Sequence, residues 1–217
     1  TPEARARGLF FSNLLCGTAP GEGPDFFPPG SAKLVKAGSD LIFQCHYTPK
    51  GKPVRDRSKV GFIFAEKPVR RVYTRAALNS WFKIPPGEKS HKVMSKHVFR
   101  QDSWLVSLMA HMHLRGKSFR FDLYSPGEKK RTLLNVPAWD FNWQTHYLLE
   151  KPLSIPAGSR VECTAYFDNS AGNPANPDPS QLVRWGDQTW EEMMIGYLNF
   201  VRQDEDPVRP GDLNSDK

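Results

Sequence analysis

An all-β chain is the reading that fits this sequence, and three observations carry it. No window of twelve residues shows a 3.6-residue apolar period. Short runs of β-branched and aromatic residues recur, as in Leu41–Tyr47 and Val60–Ala65. One turn signal returns at Pro28-Pro29-Gly30, Ile84-Pro85-Pro86-Gly87 and Ile155-Pro156-Ala157-Gly158, where glycine takes the positive φ of a type II turn. Two antiparallel sandwiches of the jelly-roll kind are expected, with a boundary near Glu66–Ala77.

Taken in order, residues 1–30 read as irregular: an Arg-rich start, an apolar piece at Leu9–Leu15 and a Gly/Pro loop. Strands follow at Leu41–Tyr47 and Val60–Ala65. Further strands are expected at Lys92–Phe99, Trp104–Leu114, Ser118–Tyr124, Leu133–Val136, His146–Leu149, Arg160–Phe167 and Met193–Arg202, with turns such as Ser125-Pro126-Gly127 between them. The charged, Pro- and Gly-bearing tail, 204–217, reads as flexible.

A chain of 217 residues, 39% hydrophobic and 12% aromatic, has a globular composition. Its formal charge of +7 comes from Lys and Arg scattered among Asp and Glu, with no basic run interleaved with stacking aromatics, which argues against a nucleic-acid partner. No apolar run approaches the about 18 residues that span a bilayer. The start at Thr1 reads as a mature or excised piece of something longer. Three cysteines, Cys16, Cys45 and Cys163, allow one bridge at most and fit no zinc motif.

The chemistry concentrates in Ala110-His111-Met112-His113-Leu114 and in Glu191-Glu192-Met193-Met194-Ile195-Gly196-Tyr197. Residues two apart on a strand share a face, so His111 and His113 can hold one ion between them. A thioether from Met193 or Met194 would add a soft ligand, and two imidazoles with a thioether suit copper, above all Cu(I). The same residues also suit a solvated strand face and Met-Met core filler. Glu191 and Glu192, adjacent on a strand, face opposite ways and make a poor acid/base dyad. The loop Asp168–Pro179 is dense in oxygen side chains; it reads as Asx turns, with a calcium loop as the alternative.

Four features together, Gln44-Cys45-His46-Tyr47, the Ile-Pro-x-Gly-Glu turn at 84–88, His111-Met112-His113 and Glu192-Met193 with Tyr197, make residues 27–202 resemble the copper type II, ascorbate-dependent monooxygenases. That family includes peptidylglycine α-hydroxylating monooxygenase and dopamine β-hydroxylase. The resemblance implies two nested jelly-roll sandwiches, each with a copper. Residues 1–70 would then end the first sandwich, which is incomplete, and 71–203 would form the second. It further implies that His111, His113 and Met193 hold the oxygen-activating copper, that Tyr197 meets substrate, and that His46 is one of three ligands of an electron-storing copper. Gln44 would lie on the path between the two sites.

Departures from the family pattern are equally specific. No adjacent His-His pair completes the site of His46, so an upstream segment or a separate chain would have to supply it. Met109 stands where the amidating enzyme has a carboxylate-gripping arginine, so a peptide with a free C-terminus is not the expected substrate; a small or apolar one is. Met194 stands where a partner for Cys163 is expected. Three readings follow: a copper monooxygenase hydroxylating a C–H bond with ascorbate or another reductant; a non-catalytic copper or redox module of a larger secreted assembly; and a calcium-binding adhesive or carbohydrate-binding sandwich. The family resemblance implies a periplasmic or extracellular setting.

Overall fold

A computed structural model describes residues 14–47 and 50–209. The expected apolar piece at Leu9–Leu15 and the end of the expected tail lie largely outside these residues. The described residues form eleven strands and no helix. In chain order they are β1 (Ser31–Ala32), β2 (Arg70–Leu78), β3 (Lys83–Ile84), β4 (His91–Val98), β5 (Ser103–His111), β6 (Gly116–Tyr124), β7 (Arg131–Val136), β8 (Tyr147–Ile155), β9 (Arg160–Phe167), β10 (Val183–Arg184) and β11 (Ile195–Arg202). A five-stranded sheet in the order β1-β2-β11-β5-β8 faces a four-stranded sheet in the order β4-β9-β6-β7, with a β10-β3 ribbon beside them. The chain is therefore all-β and packs as a sandwich of the jelly-roll kind, as its composition and turns led one to expect.

The expected turns form as their residues dictate. Gly30, Gly87, Gly127 and Gly158 all take positive φ, between 69° and 84°. The next residue donates back across each turn, as in Ser31 N–H to the Pro28 carbonyl at 3.1 Å and Ser159 N–H to the Pro156 carbonyl at 3.1 Å.

Several strand expectations are corrected. Leu41–Tyr47 and Val60–Ala65 form no strand. Strong β-formers become a strand only beside an edge they can pair with. Here they pair with none, and Ile42, Phe43, Tyr47, Ile63 and Phe64 are exposed. Conversely, β2 runs through the stretch read as a boundary and pairs with β11 from Leu78 opposite Ile195 to Val72 opposite Val201. β5 stops at His111 instead of Leu114. β8 reaches Ile155 with Pro152 inside it, which the open edge of the sheet tolerates because no neighbour needs that missing N–H.

Between the sheets lies one apolar core. The four-stranded sheet contributes Phe119, Phe121, Val161, Cys163 and Phe167, and the other contributes Leu108, Ala110, Met194, Leu198 and Phe200. In β6 the alternation Phe119, Phe121, Leu123 faces inward while Ser118 and Arg120 face out. A polar bridge crosses the other sheet where β5 carries one residue extra: Asn199 Nδ2 donates to Ser107 Oγ at 2.9 Å, and Thr74 Oγ1 donates to Asn199 Oδ1. The sheets approach closely at Gly196, where a Cβ would meet Cys163 Sγ at 2.5 Å and Phe121 Cε1 at 2.7 Å.

Gly196→Ala therefore overpacks a core with nowhere to yield. A loss of about 1–3 kcal/mol is expected in the urea midpoint, with an unchanged slope. A variant as stable as wild type would show that the sheets can separate there.

Candidate functional site

The outer face of the five-stranded sheet carries an apolar cluster of its own. Ile195 pairs with His111, and Tyr197 pairs with Met109 on one side and Ala76 on the other. Directly opposed residues share a face. Met109, Met193, Ile195 and Tyr197 form a second buried cluster there, with Leu14, Ala19, Ala76, Leu78 and Trp185 packed against it. Met194, one residue on, turns inward to the main core with Met112. The period of two thus separates the methionines: Met193 lies on the face of His111 and Met194 on the opposite one.

His111 ends β5, and its Nδ1 is 2.7 Å from Gln144 Oε1. The Gln144 amide nitrogen donates to the Phe141 carbonyl at 2.9 Å, so its oxygen is the acceptor and His111 Nδ1 carries the proton. His113 Nδ1 lies 3.3 Å from the Glu191 carbonyl, which can only accept. His111 accordingly keeps Nε2 as its lone-pair nitrogen, while the His113 ring lies against the backbone carbonyls of Glu191 and Gln188. The rings are 5.3 Å apart, nearly perpendicular at 83°. Burial, then the neighbouring His113 charge, pushes His111 down to about 4, and burial lowers His113. Two neutral imidazoles at neutral pH are the form that binds metals.

His113 is not on the strand, as the spacing implied, but in the turn beyond it. What holds that turn is Glu192, a residue dismissed above as half of a poor dyad. Its side chain is wholly buried; Oε2 accepts from His113 N–H at 2.8 Å and Oε1 from Arg115 N–H at 2.6 Å. Burial pushes this carboxyl up to about 8, against the pull of those two N–H groups and the Arg115 charge. Arg115, 1% exposed, donates to Asn169 Oδ1 and to the Trp190 carbonyl, both at 2.8 Å. An acid and an arginine beside apolar runs were the available signal for this pair, because such groups are buried only when partnered.

His46 is exposed and sits in irregular chain, with its Nε2 3.1 Å from Gln44 Nε2. It is near enough that its charge adds to the depression of both His111 and His113. Tyr197 is 9% exposed, and burial raises its phenol. Met109 is 6% exposed on the same face. All three cysteines are free, Cys163 in the core.

The oxygen-rich loop is occupied with itself. Asp168 Oδ1 accepts from Ser170, Asn169 Oδ1 from Arg115 and Asn176, and Asp178 Oδ1 from Ser180. A second polar group, missed in the sequence, ties Glu22 and Asp25 to His146, the residue before β8. His146 Nε2 lies 3.0 Å from Glu22 Oε1 and 3.2 Å from Asp25 Oδ1, and Lys33 Nζ donates to the Leu15 carbonyl at 2.6 Å. Among the described residues, these three side chains are the group of His and acidic residues whose donor atoms lie within 4.8 Å of one another.

No protein-family profile and no curated protein matches this chain. Among solved structures it is similar to the VP2 subviral particle of infectious bursal disease virus, at 12% identity and a TM-score of 0.32, covering 72% of this chain and 39% of that one. Structures of the Gx strain (12% identity, TM-score 0.28, 72% and 40% covered) and the Gt strain (13%, 0.27, 77% and 50%) of the same virus are similar too. The chain spans half or less of each of these viral chains, and a likeness this weak assigns neither ligand nor activity.

Two outcomes test the site's architecture. Glu192→Ala strands the two buried N–H groups of His113 and Arg115, so a loss of about 2–5 kcal/mol is expected in urea unfolding; a loss under about 0.5 kcal/mol would show that Glu192 does not clamp the turn. The second concerns His97, which burial and then the Arg75 charge push down to about 4. A depressed histidine gives stability that is complete above pH ~6.5 and is lost as pH falls toward 4. Glu192 runs the other way, its contribution falling as pH rises from ~4.5 to about 8. His97→Gln should therefore lessen the slope of the acid limb of the stability profile between pH 6.5 and 4, where His111 still contributes, leaving the limb above 6.5 unaltered.

Proposed function

We propose that this chain is the oxygen-activating part of a copper-dependent monooxygenase of the ascorbate-using type, with His111, His113 and Met193 as the copper ligands. The observation that carries the reading is the common face of His111 and Met193, set by the pairing of Ile195 with His111, with the His113 ring 5.3 Å away and Nε2 of His111 left as a lone-pair nitrogen. Two neutral imidazoles and a thioether form a donor set that fits copper, and Cu(I) in particular. Copper held there would supply one-electron reduction of O₂, the chemistry needed to break a C–H bond.

The chain's own residues prepare that chemistry. Gln144 fixes the tautomer of His111, and the Glu191 carbonyl orients His113. Glu192, the residue before Met193, is tied through its carboxyl to the turn after β5. Met109, Ile195 and Tyr197 form an apolar wall that suits an apolar substrate and keeps water from the reacting bond. In this reading His46 belongs to a second, electron-storing copper completed by a partner segment, and the setting is periplasmic or extracellular. A second reading, a non-catalytic copper module, gains support from Leu14 and Ala19, which cover the same face where substrate would enter.

X-ray absorption on the reduced, copper-loaded protein is the test. A sulfur scatterer is expected in wild type and in Met194→Ala, but not in Met193→Ala; a sulfur signal that survives Met193→Ala would overturn the ligand set. Gln144→Ala should weaken copper binding by about 10–100-fold. Copper binding without O₂ consumption, given ascorbate and a broad panel of apolar substrates, would favour the non-catalytic reading.

A further inference from the structure

At the other end of β2 the charge balance fails. Arg71, Tyr73 and Arg75 alternate onto one face of the strand. The Arg71 guanidinium is 4.5 Å from the centre of the Tyr73 ring, that of Arg202 4.3 Å and that of Arg75 5.7 Å. β2 and β11 pair as far as Val72 opposite Val201, and the next step of that register sets Arg71 beside Arg202. Like charges opposed across strands destabilise a sheet. All three arginines are half-buried, which makes an uncompensated charge there more costly than on an open surface.

One anion already sits in this cradle. The Glu205 carboxylate accepts from Tyr73 Oη at 2.6 Å and from Arg202 Nη1 at 2.7 Å. Among the described residues, Arg71 and Arg75 have no carboxylate within ion-pair distance. Arg75 is bonded to the neighbouring Thr74 carbonyl, and its charge reaches His97. Three guanidiniums against one carboxylate leave an excess of two positive charges around a single ring.

We infer that Arg71, Arg75 and Arg202, arrayed around Tyr73, form a binding site for a doubly charged oxyanion of the phosphate type, either free phosphate or a phosphate ester. Planar guanidinium forks match tetrahedral oxyanions with paired N–H donors, and a phosphate group carries about the charge that the cradle lacks. The site is independent of the copper reading, since it lies on the inner-face end of β2 and shares no residue with His111, His113 or Met193.

Calorimetric titration of the full chain with inorganic phosphate, at ionic strength held constant with chloride, tests the assignment. Saturable binding at one site is expected, weakened about tenfold or more in Arg71→Gln/Arg75→Gln. Phenyl phosphate binding more tightly than phosphate would point to an ester, and equal binding to the free ion; both sustain the site. Should the double variant not fold, wild-type protein alone decides: phosphate must shield Arg71, Arg75 and Arg202 from phenylglyoxal, mapped by mass spectrometry. Non-saturating heats, a double variant that binds like wild type, or unshielded arginines would each overturn the proposal.

Discussion

The buried carboxyl of Glu192 is the contact on which the rest of the site depends. It joins two parts of the chain nearly eighty positions apart by accepting the backbone N–H groups of His113 and Arg115. Those donors have left the β5 ladder and would otherwise be buried without partners, a cost of about 1–3 kcal/mol each. Because Glu192 directly precedes Met193, satisfying them also determines where that thioether can lie relative to the His111 and His113 rings. Arg115 then spreads the constraint to the loops at Asn169 and Trp190.

Beside this clamp, β11 carries apolar residues on both faces. Its inner residues, Leu198 and Phe200, belong to the sandwich core, while Ile195 and Tyr197 belong to the outer cluster. A sheet with one wet face would present His111 to water as an ordinary titrating histidine. With Leu14 and Ala19 packed on the neighbouring cluster and Gln144 bonded to Nδ1, the buried ring is instead held neutral with one nitrogen committed. A neutral imidazole with one nitrogen committed is the form that the proposed copper site requires.

The two ends of β2 serve different electrostatic purposes. Near Leu78 the strand helps wall an apolar face; near Arg71 it concentrates positive charge around Tyr73. The tail is drawn in at that end, where Glu205 binds Tyr73 and Val208 bridges to Val69. Cations gathered on a semi-buried ring are stable where anions are at hand, and one of those anions is part of the chain.

By itself the sequence determined the fold class, the turns and the residues that could carry chemistry. Glycine at positive φ is a local property of Gly30, Gly87 and Gly158, and the two-residue alternation in β6 is readable from its own side chains. Tertiary structure alone decided what required a distant partner. Leu41–Tyr47 reads as a strand but forms none, while Arg70–Leu78, hidden under its arginines, becomes a central one because β11 lies beside it. Likewise His113 lies past the end of its strand, and Glu192 acts as an anchor rather than half of a dyad. Hydrogen-bond partners and burial, which set both outcomes, are properties of the packed chain and are absent from any local window of residues.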